Sequence, residues 1–458
     1  MVSNAQIFRR PRFFFVFFLT SLWLANATEA TEKVSLQPRQ HANSFARVKT
    51  VVDVAGSLHV ETKNEKQLKI PMKVNAELFF DELGLNGIHS PSIRHYWDAK
   101  ADLVINDEDE NRELRDERKL MLLADTDQPT KRFWSPNGNL TRHELELIDV
   151  PGNAFAPELL LTNSKVGEGD EWEIEDANAA RLLRLTETTS GKITNQVNEI
   201  TEDTVKVELA GEVNGKADGA ETSIEVTGSY HFDRKTKMIS WFAIAVREKR
   251  EIGFATPGFE VTAQIRSARQ SLDKSEALTK QVVQQARAPA VGELLLDFAS
   301  SDDLYRAAID RRWHLVSRIG SSTVMRLVDG DDLLATCKVD RLDRMAPGKQ
   351  ITLTGFQTDV DKALAKNSTG IITASENLNS QGLRVLRVVA GGDIGETPIR
   401  WIYYHLSDDT GRRLSLIFTH EASLESRLSG IDESLTSSFY FLPEQEERQA
   451  QLDTGEIE

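Results

Sequence analysis

Apolar and polar residues alternate with period two over unusually long stretches of this chain. In Leu68-Lys69-Ile70-Pro71-Met72-Lys73-Val74-Asn75-Ala76-Glu77-Leu78-Phe79-Phe80, the residues Leu68, Ile70, Met72, Val74, Ala76, Leu78 and Phe80 fall on one face. That spacing predicts a long strand with one buried face. Pro71 places its opening part at a sheet edge, because proline cannot donate to a ladder. The pattern recurs at Trp97 to Ile105, Val205 to Val213 and Ile224 to Phe232, and returns through Met238 to Val246 and Phe259 to Ile265. Short polar turns such as Asp233-Arg234-Lys235-Thr236 separate these runs, which predicts an antiparallel meander over 48–270. A sheet apolar on one face needs a covering layer, or it curls into a half-barrel able to enclose a cavity.

From Ser271 to Ala288 the spacing turns helical, with Leu272, Leu278, Val282 and Val283 among polar residues, and 271–293 reads as a helical linker. The second domain, 294–442, mixes strands and helices. Asp303 to Arg312 reads as a short helix or turn, and strands are expected at 322–328 and 333–340 around the hairpin signal Asp329-Gly330-Asp331. A helix carries Phe356, Val360 and Leu364. Strands follow at 370–375, 382–391, 398–407 and 413–419, then a last helix with Leu424, Leu428, Ile431 and Leu435. Both faces of 399–406 are apolar, so a layer must cover each. The fold class expected is α+β in two domains: an N-terminal antiparallel meander, and an α/β/α sandwich on an antiparallel sheet. Residues 31–47 read as a flexible arm. The acidic tail 443–458 is too poor in large apolar residues to fold.

The N-terminus adds a compartment. Arg9, Arg10 and Arg12 precede the apolar run Phe13 to Leu24, and small residues follow, with cleavage expected after Ala27 or Ala30. Basic, apolar and small segments in that order make residues 1–30 a secretory signal peptide. The expected location is therefore periplasmic or extracellular. No cysteine lies near the cleavage region to accept a lipid, and no later stretch is long and apolar enough to span a bilayer as a helix. Cys337 is the single cysteine, so the chain has no intramolecular disulfide, and its strand-like surroundings predict a small buried hydrophobe. The formal charge is −16, or −18 once the signal segment is removed, which repels nucleic acid.

The second domain resembles the PsbP-like superfamily. The stretches that carry this are Arg311-Arg312-Trp313-His314-Leu315-Val316, Gly355-Phe356-Gln357-Thr358-Asp359-Val360, Pro398-Ile399-Arg400-Trp401-Ile402-Tyr403-Tyr404 and Leu414-Ser415-Leu416-Ile417-Phe418-Thr419, ahead of a helix ending in Ser437-Ser438-Phe439-Tyr440-Phe441. The resemblance covers about a third of the chain. It implies a sandwich used as a non-enzymatic binding or assembly module, and it brings no catalytic motif. The first domain looks like exported β-rich half-barrels of the lipoprotein-carrier type, and the whole chain resembles an exported bacterial protein.

Chemical motifs are sparse. Asp107-Glu108-Asp109-Glu110-Asn111 begins like a calcium loop, but Arg112 stands where the turn needs Gly and Arg118 where a bidentate Glu belongs. A solvated charged turn is expected there. His143-Glu144-Leu145-Glu146 and His420-Glu421 lack a second His four residues on, and the nine histidines show no metal-ligand spacing. Ser271-Leu272-Asp273-Lys274 matches Ser-x-x-Lys without its partner motifs. Gly391-Gly392-Asp393-Ile394-Gly395 lacks the spacing of a dinucleotide loop and reads as a mobile connection. Trp313, Trp401, Tyr403, Tyr404 and His405 form the most concentrated amphipathic chemistry and are expected in the core. No catalytic residue, metal ligand or cofactor is assigned.

The leading expectation is an exported, non-enzymatic binding or assembly protein acting on another protein or a small ligand. Convergence of His314, His405 and Asp408 in a deep pocket would count against it. A carrier of a lipid or other apolar molecule in the first domain is the second reading, and a hydrolase the third.

Overall fold

The long alternating runs become one antiparallel sheet because each presents an apolar side to a shared cover. The computed structural model describes residues 33–38, 44–61, 67–85, 92–124, 131–152, 156–300, 304–364, 368–428 and 430–443. The expected signal segment, and the acidic tail beyond its first residue, lie outside them.

In the N-terminal part the elements are β1 (Val34–Ser35), β2 (Phe45–Glu61), β3 (Gln67–Gly84), β4 (Ser92–Ile105), β5 (Glu108–Glu113), β6 (Leu120–Leu123), β7 (Phe133–Trp134), α1 (Arg142–Ile148), β8 (Lys165–Val166), β9 (Glu171–Glu173), α2 (Asp176–Leu183), β10 (Glu187–Ile200), β11 (Thr204–Ala217), β12 (Ala220–Asp233), β13 (Met238–Arg250) and β14 (Gly258–Leu272). Twelve strands form one sheet in the order β7-β6-β4-β3-β2-β14-β13-β12-β11-β10-β9, with β5 beside β4, and it does not close into a barrel. The first long strand, β2, pairs along its whole length with the last, β14. Pro71 sits where β3 has β2 as partner (Ser57 opposite) but has outrun the ladder with β4, which begins at Met72. The chain between β7 and β10 folds back over the apolar face. Leu145, Leu147, Ile148, Leu160, Leu182 and Leu183 join Val207, Val226 and Phe242 in one core.

The C-terminal part contains α3 (Lys280–Val283), β15 (Leu296–Ala299), β16 (Tyr305–Ile309), β17 (Trp313–Ile319), β18 (Ser322–Asp329), β19 (Asp332–Leu342), α4 (Leu353–Leu364), β20 (Ser368–Leu378), β21 (Arg384–Ile394), β22 (Thr397–Ser407), β23 (Arg413–Glu421), α5 (Glu425–Leu428), α6 (Ile431–Ser438) and β24 (Tyr440–Phe441). Seven strands run β17-β18-β19-β23-β22-β21-β20, all antiparallel. On one face α4 packs Phe356, Val360 and Leu364 against Leu386, Val388 and Trp401. On the other, Leu428, Leu435 and Phe439 meet Val385, Ile402 and Phe418. This is a β-rich α+β architecture with a sandwich, as the double-sided apolar strand demands.

Several local expectations are corrected. Within the expected flexible arm, Val34–Ser35 pairs with β8 and Leu36 is fully buried, because the cover needs apolar side chains there. The expected helical linker is mostly irregular: β14 runs to Leu272, and α3 spans only Lys280–Val283. Of the expected helix or turn at 303–312, Tyr305–Ile309 is strand β16, short and alternating, 310–312 form the turn into β17, and residue 303 lies outside the described residues. The last helix breaks at Gly430, whose φ of 79° stops α5 from continuing into α6. Gly391 to Ile394 lie in β21, and the turn falls at Gly395, so the mobile connection is a hairpin.

Candidate functional site

Most residues singled out by sequence land in structural roles. The turn at the acidic stretch is Asn106-Asp107, both at positive φ, while Glu108 to Asn111 belong to β5 at the sheet's margin. Charge on such a margin blunts edge pairing. Glu144 closes the N-terminus of α1 by accepting the amide of its cap, Thr141, and pairs with Arg115 at 2.7 Å and 2.8 Å. Burial alone would raise the Glu144 carboxyl. Hydrogen bonds from the Arg115 side chain and from the Thr141 and Arg115 amides outweigh it and hold the group below its ordinary value.

His143 is exposed, and His420 is buried with Nδ1 at 2.8 Å from the Glu421 carbonyl. Ser271 and Lys274 are exposed, at the end of β14 and just past it. Cys337 is fully buried, and burial followed by the nearby Asp432 and Asp340 pushes its thiol well above the usual range. Trp313, Trp401, Tyr404 and His405 are buried and Tyr403 half-buried. His314 on β17 is held down to about 4, first by burial and then by Arg142. His405 faces Phe356 of α4, and Asp408 binds Arg412 and Thr410 in the β22–β23 turn. These three do not share partners. Among the described residues, no group of three or more His, Cys, Asp or Glu side chains is placed to hold a metal ion.

Two features were not anticipated. The first is a buried charge network where β2, β3, β4 and β14 meet. Glu82 accepts from Ser92 at 3.0 Å, Arg94 at 2.9 Å and Arg269 at 2.9 Å, while Arg269 also reaches Glu158 at 2.5 Å. On the opposite face Asp81 takes both Arg47 contacts, 2.7 Å and 3.0 Å, and the Ser275 hydroxyl at 2.7 Å. A cavity of about 30 Å³ beside Glu82, Arg94 and Arg269 is walled by Phe80, Ile239 and Phe242. That is room for one or two waters, suited to the Arg269 Nε, which is buried without a hydrogen-bond acceptor. The two arginines and two glutamates balance, so the network fixes strands and leaves no net charge for a ligand.

The second is an apolar strip at the far end of the covered face. The core's margin runs through Val54, Val74, Ile105 and Ala263. Beyond it the same face continues as Leu58, Val60, Leu68, Ile70, Met72 and Phe259, all half-buried or exposed, with Leu68 50% exposed. Registers Gly56 to Met72, Leu58 to Ile70 and Leu58 to Phe259 align these residues across three adjacent strands. Gly56 keeps β2 and β14 close, since a Cβ there would lie 2.1 Å from the Glu260 carbonyl oxygen. Arg250 borders the strip, paired with Glu248 at 2.6 Å and 4.8 Å from the centre of the Phe259 ring. The same end of the sheet meets the second domain, where Lys216 pairs with Asp331 at 3.4 Å and Arg326 donates to the Phe254 carbonyl.

No family model matches the chain, and no curated protein matches it. Solved structures superpose on parts of it. A protein from Bacteroides thetaiotaomicron is 8% identical with a TM-score of 0.26, over 32% of this chain and 48% of that one. The chain thus spans about half the length of that neighbour. Cyanobacterial PsbP from Synechocystis is 15% identical with a TM-score of 0.27, over 34% of this chain and 98% of that one. Lipovitellin is 9% identical with a TM-score of 0.30, over 75% of this chain and 32% of that one. The PsbP resemblance extends to this partial superposition and no further.

Proposed function

We propose that the protein is an exported, non-catalytic binding protein that holds an acyl chain or similar elongated apolar molecule along the strip from Val74 to Leu68. The observation that carries this reading is a continuous apolar face running out from under its cover on three adjacent strands. β2 and β14 are paired on both sides, so a peptide laid across them would leave its own amides unsatisfied. An acyl chain has no such groups and gains roughly 0.8 kcal/mol per buried CH₂. Export rests on the signal sequence 1–30.

The test is titration of a fluorescent long-chain fatty acid into the purified chain. Saturable binding is expected, weakened at least tenfold by Ile70→Asp or Met72→Glu and unchanged by Leu315→Glu in the other domain. Absence of saturable binding, or equal loss in all three variants, would refute the reading. Amino-terminal sequencing of material recovered from the periplasm or medium is expected to start at Thr28 or Thr31.

A further inference from the structure

The seven-stranded sheet ends beneath α4 in a patch where two buried polar side chains have no hydrogen-bond partner on another residue. Arg384, Ser407 and Arg413 lie opposite one another across β21, β22 and β23, and His405 is two residues back on the same face. His405 is 3% exposed and Ser407 2%. Neither His405 ring nitrogen meets a hydrogen-bond partner on another residue, and the Ser407 hydroxyl has none. Two buried polar side chains left this way in one place are costly unless something occupies them.

The surroundings state what that something is. The His405 ring lies 5.8 Å from Phe356, in the first turn of α4. That twelve-residue helix has no acid in its first turn, so its N-terminal end keeps its partial positive charge. Arg384 donates to the Ile351 carbonyl at 2.6 Å, and Arg413 to the Asp343 carbonyl at 2.8 Å. The two guanidiniums thereby pin both ends of the segment 343–351 over His405 and Ser407. In the middle of that segment Ala346 to Lys349 are exposed. Two carboxylates border the patch: Glu376 pairs with Arg384 at 2.7 Å, so an incoming anion competes with it there, and Asp409 accepts from Gln350 at 3.1 Å.

We propose that this sheet end is a binding site for the phosphate group of a small molecule. Ser407 and one nitrogen of His405 supply donors, and the Leu353 and Thr354 amides of α4 add to them, the Gly355 amide being bonded to the Thr352 hydroxyl at 3.1 Å. A tetrahedral oxyanion offers acceptors in more directions than a flat carboxylate. As segment 343–351 lifts, breaking the Met345 amide's bond to the Gly411 carbonyl and the Gly348 amide's bond to the Asp409 carbonyl, Arg413 exchanges its carbonyl acceptor for the anion and Arg384 shares the anion with Glu376. The site is in the second domain, separate from the apolar strip, and stands or falls independently of it.

The experiment is a titration of the full chain with inorganic phosphate, sulfate and acetate, followed by amide and histidine NMR shifts and by thermal stability. Phosphate and sulfate are expected to shift His405 and residues 343–356 saturably, with acetate at least tenfold weaker. His405→Leu and Ser407→Ala are each expected to weaken phosphate at least tenfold, while Lys349→Ala changes it less than threefold. His405→Leu places an apolar group in a buried position, so its folding is secure, and Ser407→Ala removes a single hydroxyl. Three results would overturn the proposal: no saturable shift, acetate binding as well as phosphate, or loss on Lys349→Ala with none on His405→Leu. The last would mean diffuse surface attraction.

Discussion

Arg142 on α1 donates from Nη2 to the carbonyl of Trp313 at 2.9 Å, so a guanidinium of the first domain closes the entry to the first hairpin of the second. The same nitrogen reaches the Arg311 carbonyl, and burial lowers the Arg142 pKa. Arg311 in turn donates to the Phe133 carbonyl at 2.7 Å, and burial and then Arg142 bring it down to about 10. Two arginines thus cross the seam in opposite directions and end on backbone oxygens.

Replacing Arg142 by Met keeps the apolar stem and removes both bonds. Hydrogen bonds to charged groups are worth about 1.5–3 kcal/mol each. Losing the buried charge also relieves its desolvation cost, so Arg142→Met is expected to lower unfolding free energy by about 2–3 kcal/mol, less than the two bonds together, in urea, by tryptophan fluorescence. A loss below about 0.5 kcal/mol, the usual range of surface substitutions, would mean the bonds do not couple the domains.

The Glu82 network calls for a different pair of variants. Glu82→Met leaves Arg94 and Arg269 buried without the carboxylate they share. Breaking a buried pair typically costs about 3–5 kcal/mol. Glu82→Met with Arg94→Met is expected to recover part of that, because two uncharged side chains need no pairing. Urea unfolding of the singles and the double decides it: a double mutant as weak as the sum of the singles would show that the two do not interact.

These networks mark where reading the sequence stopped. Alternation made the strands 67–84, 204–217 and 220–233 legible, because one buried face leaves a period-two trace. It could not show that β2 closes onto β14, a pairing about two hundred residues apart on which no local pattern bears. Asp81 and Glu82 follow the alternating run as two acids with no apolar signal of their own, yet both are buried, since α3 and its flanks cover one face and Glu158's segment the other. The apolar strip hid differently. Leu68, Ile70 and Met72 carry the same signal as Leu78 and Phe80, and only the extent of the cover separates exposed from buried.

Cys337 offers a probe of opening. Its thiol is fully buried and held protonated by that burial, so the nucleophilic thiolate is scarce in the folded state. Labelling by an aromatic disulfide reagent is expected to be negligible in native buffer and complete in denaturant. The native rate should track the population of opened sheet. Rapid stoichiometric labelling without denaturant would contradict the burial.

Stability should fall in two windows as pH drops, for two separable reasons. His405 has an ordinary value of 6.5 and is held down to about 4, first by burial and then by Arg413 and Arg384. The unfolded chain therefore takes up this proton first. The neutral fold's advantage is full above 6.5 and drains away as pH falls toward about 4, at no more than about 1.4 kcal/mol per pH unit. Below that, Glu144 and Asp81 take over. Burial favours their neutral forms, but Arg115 and the Thr141 amide at one site, and Arg47 and Ser275 at the other, hold both carboxyls below their ordinary values. Their contribution is present above the unfolded values of 4.5 and 3.8 and is lost as pH falls through the lower folded values. Urea unfolding at closely spaced pH separates the windows. His405→Leu is expected to make the upper one shallower, with His314, also held down to about 4, keeping its share, and to raise stability at neutral pH by about 1–3 kcal/mol because it removes an unpartnered polar group. Glu144→Gln should make only the lower one shallower, with Asp81 keeping its share. A His405→Leu curve parallel to the wild type between 4 and 6.5 would mean that the imidazole titrates normally in the fold.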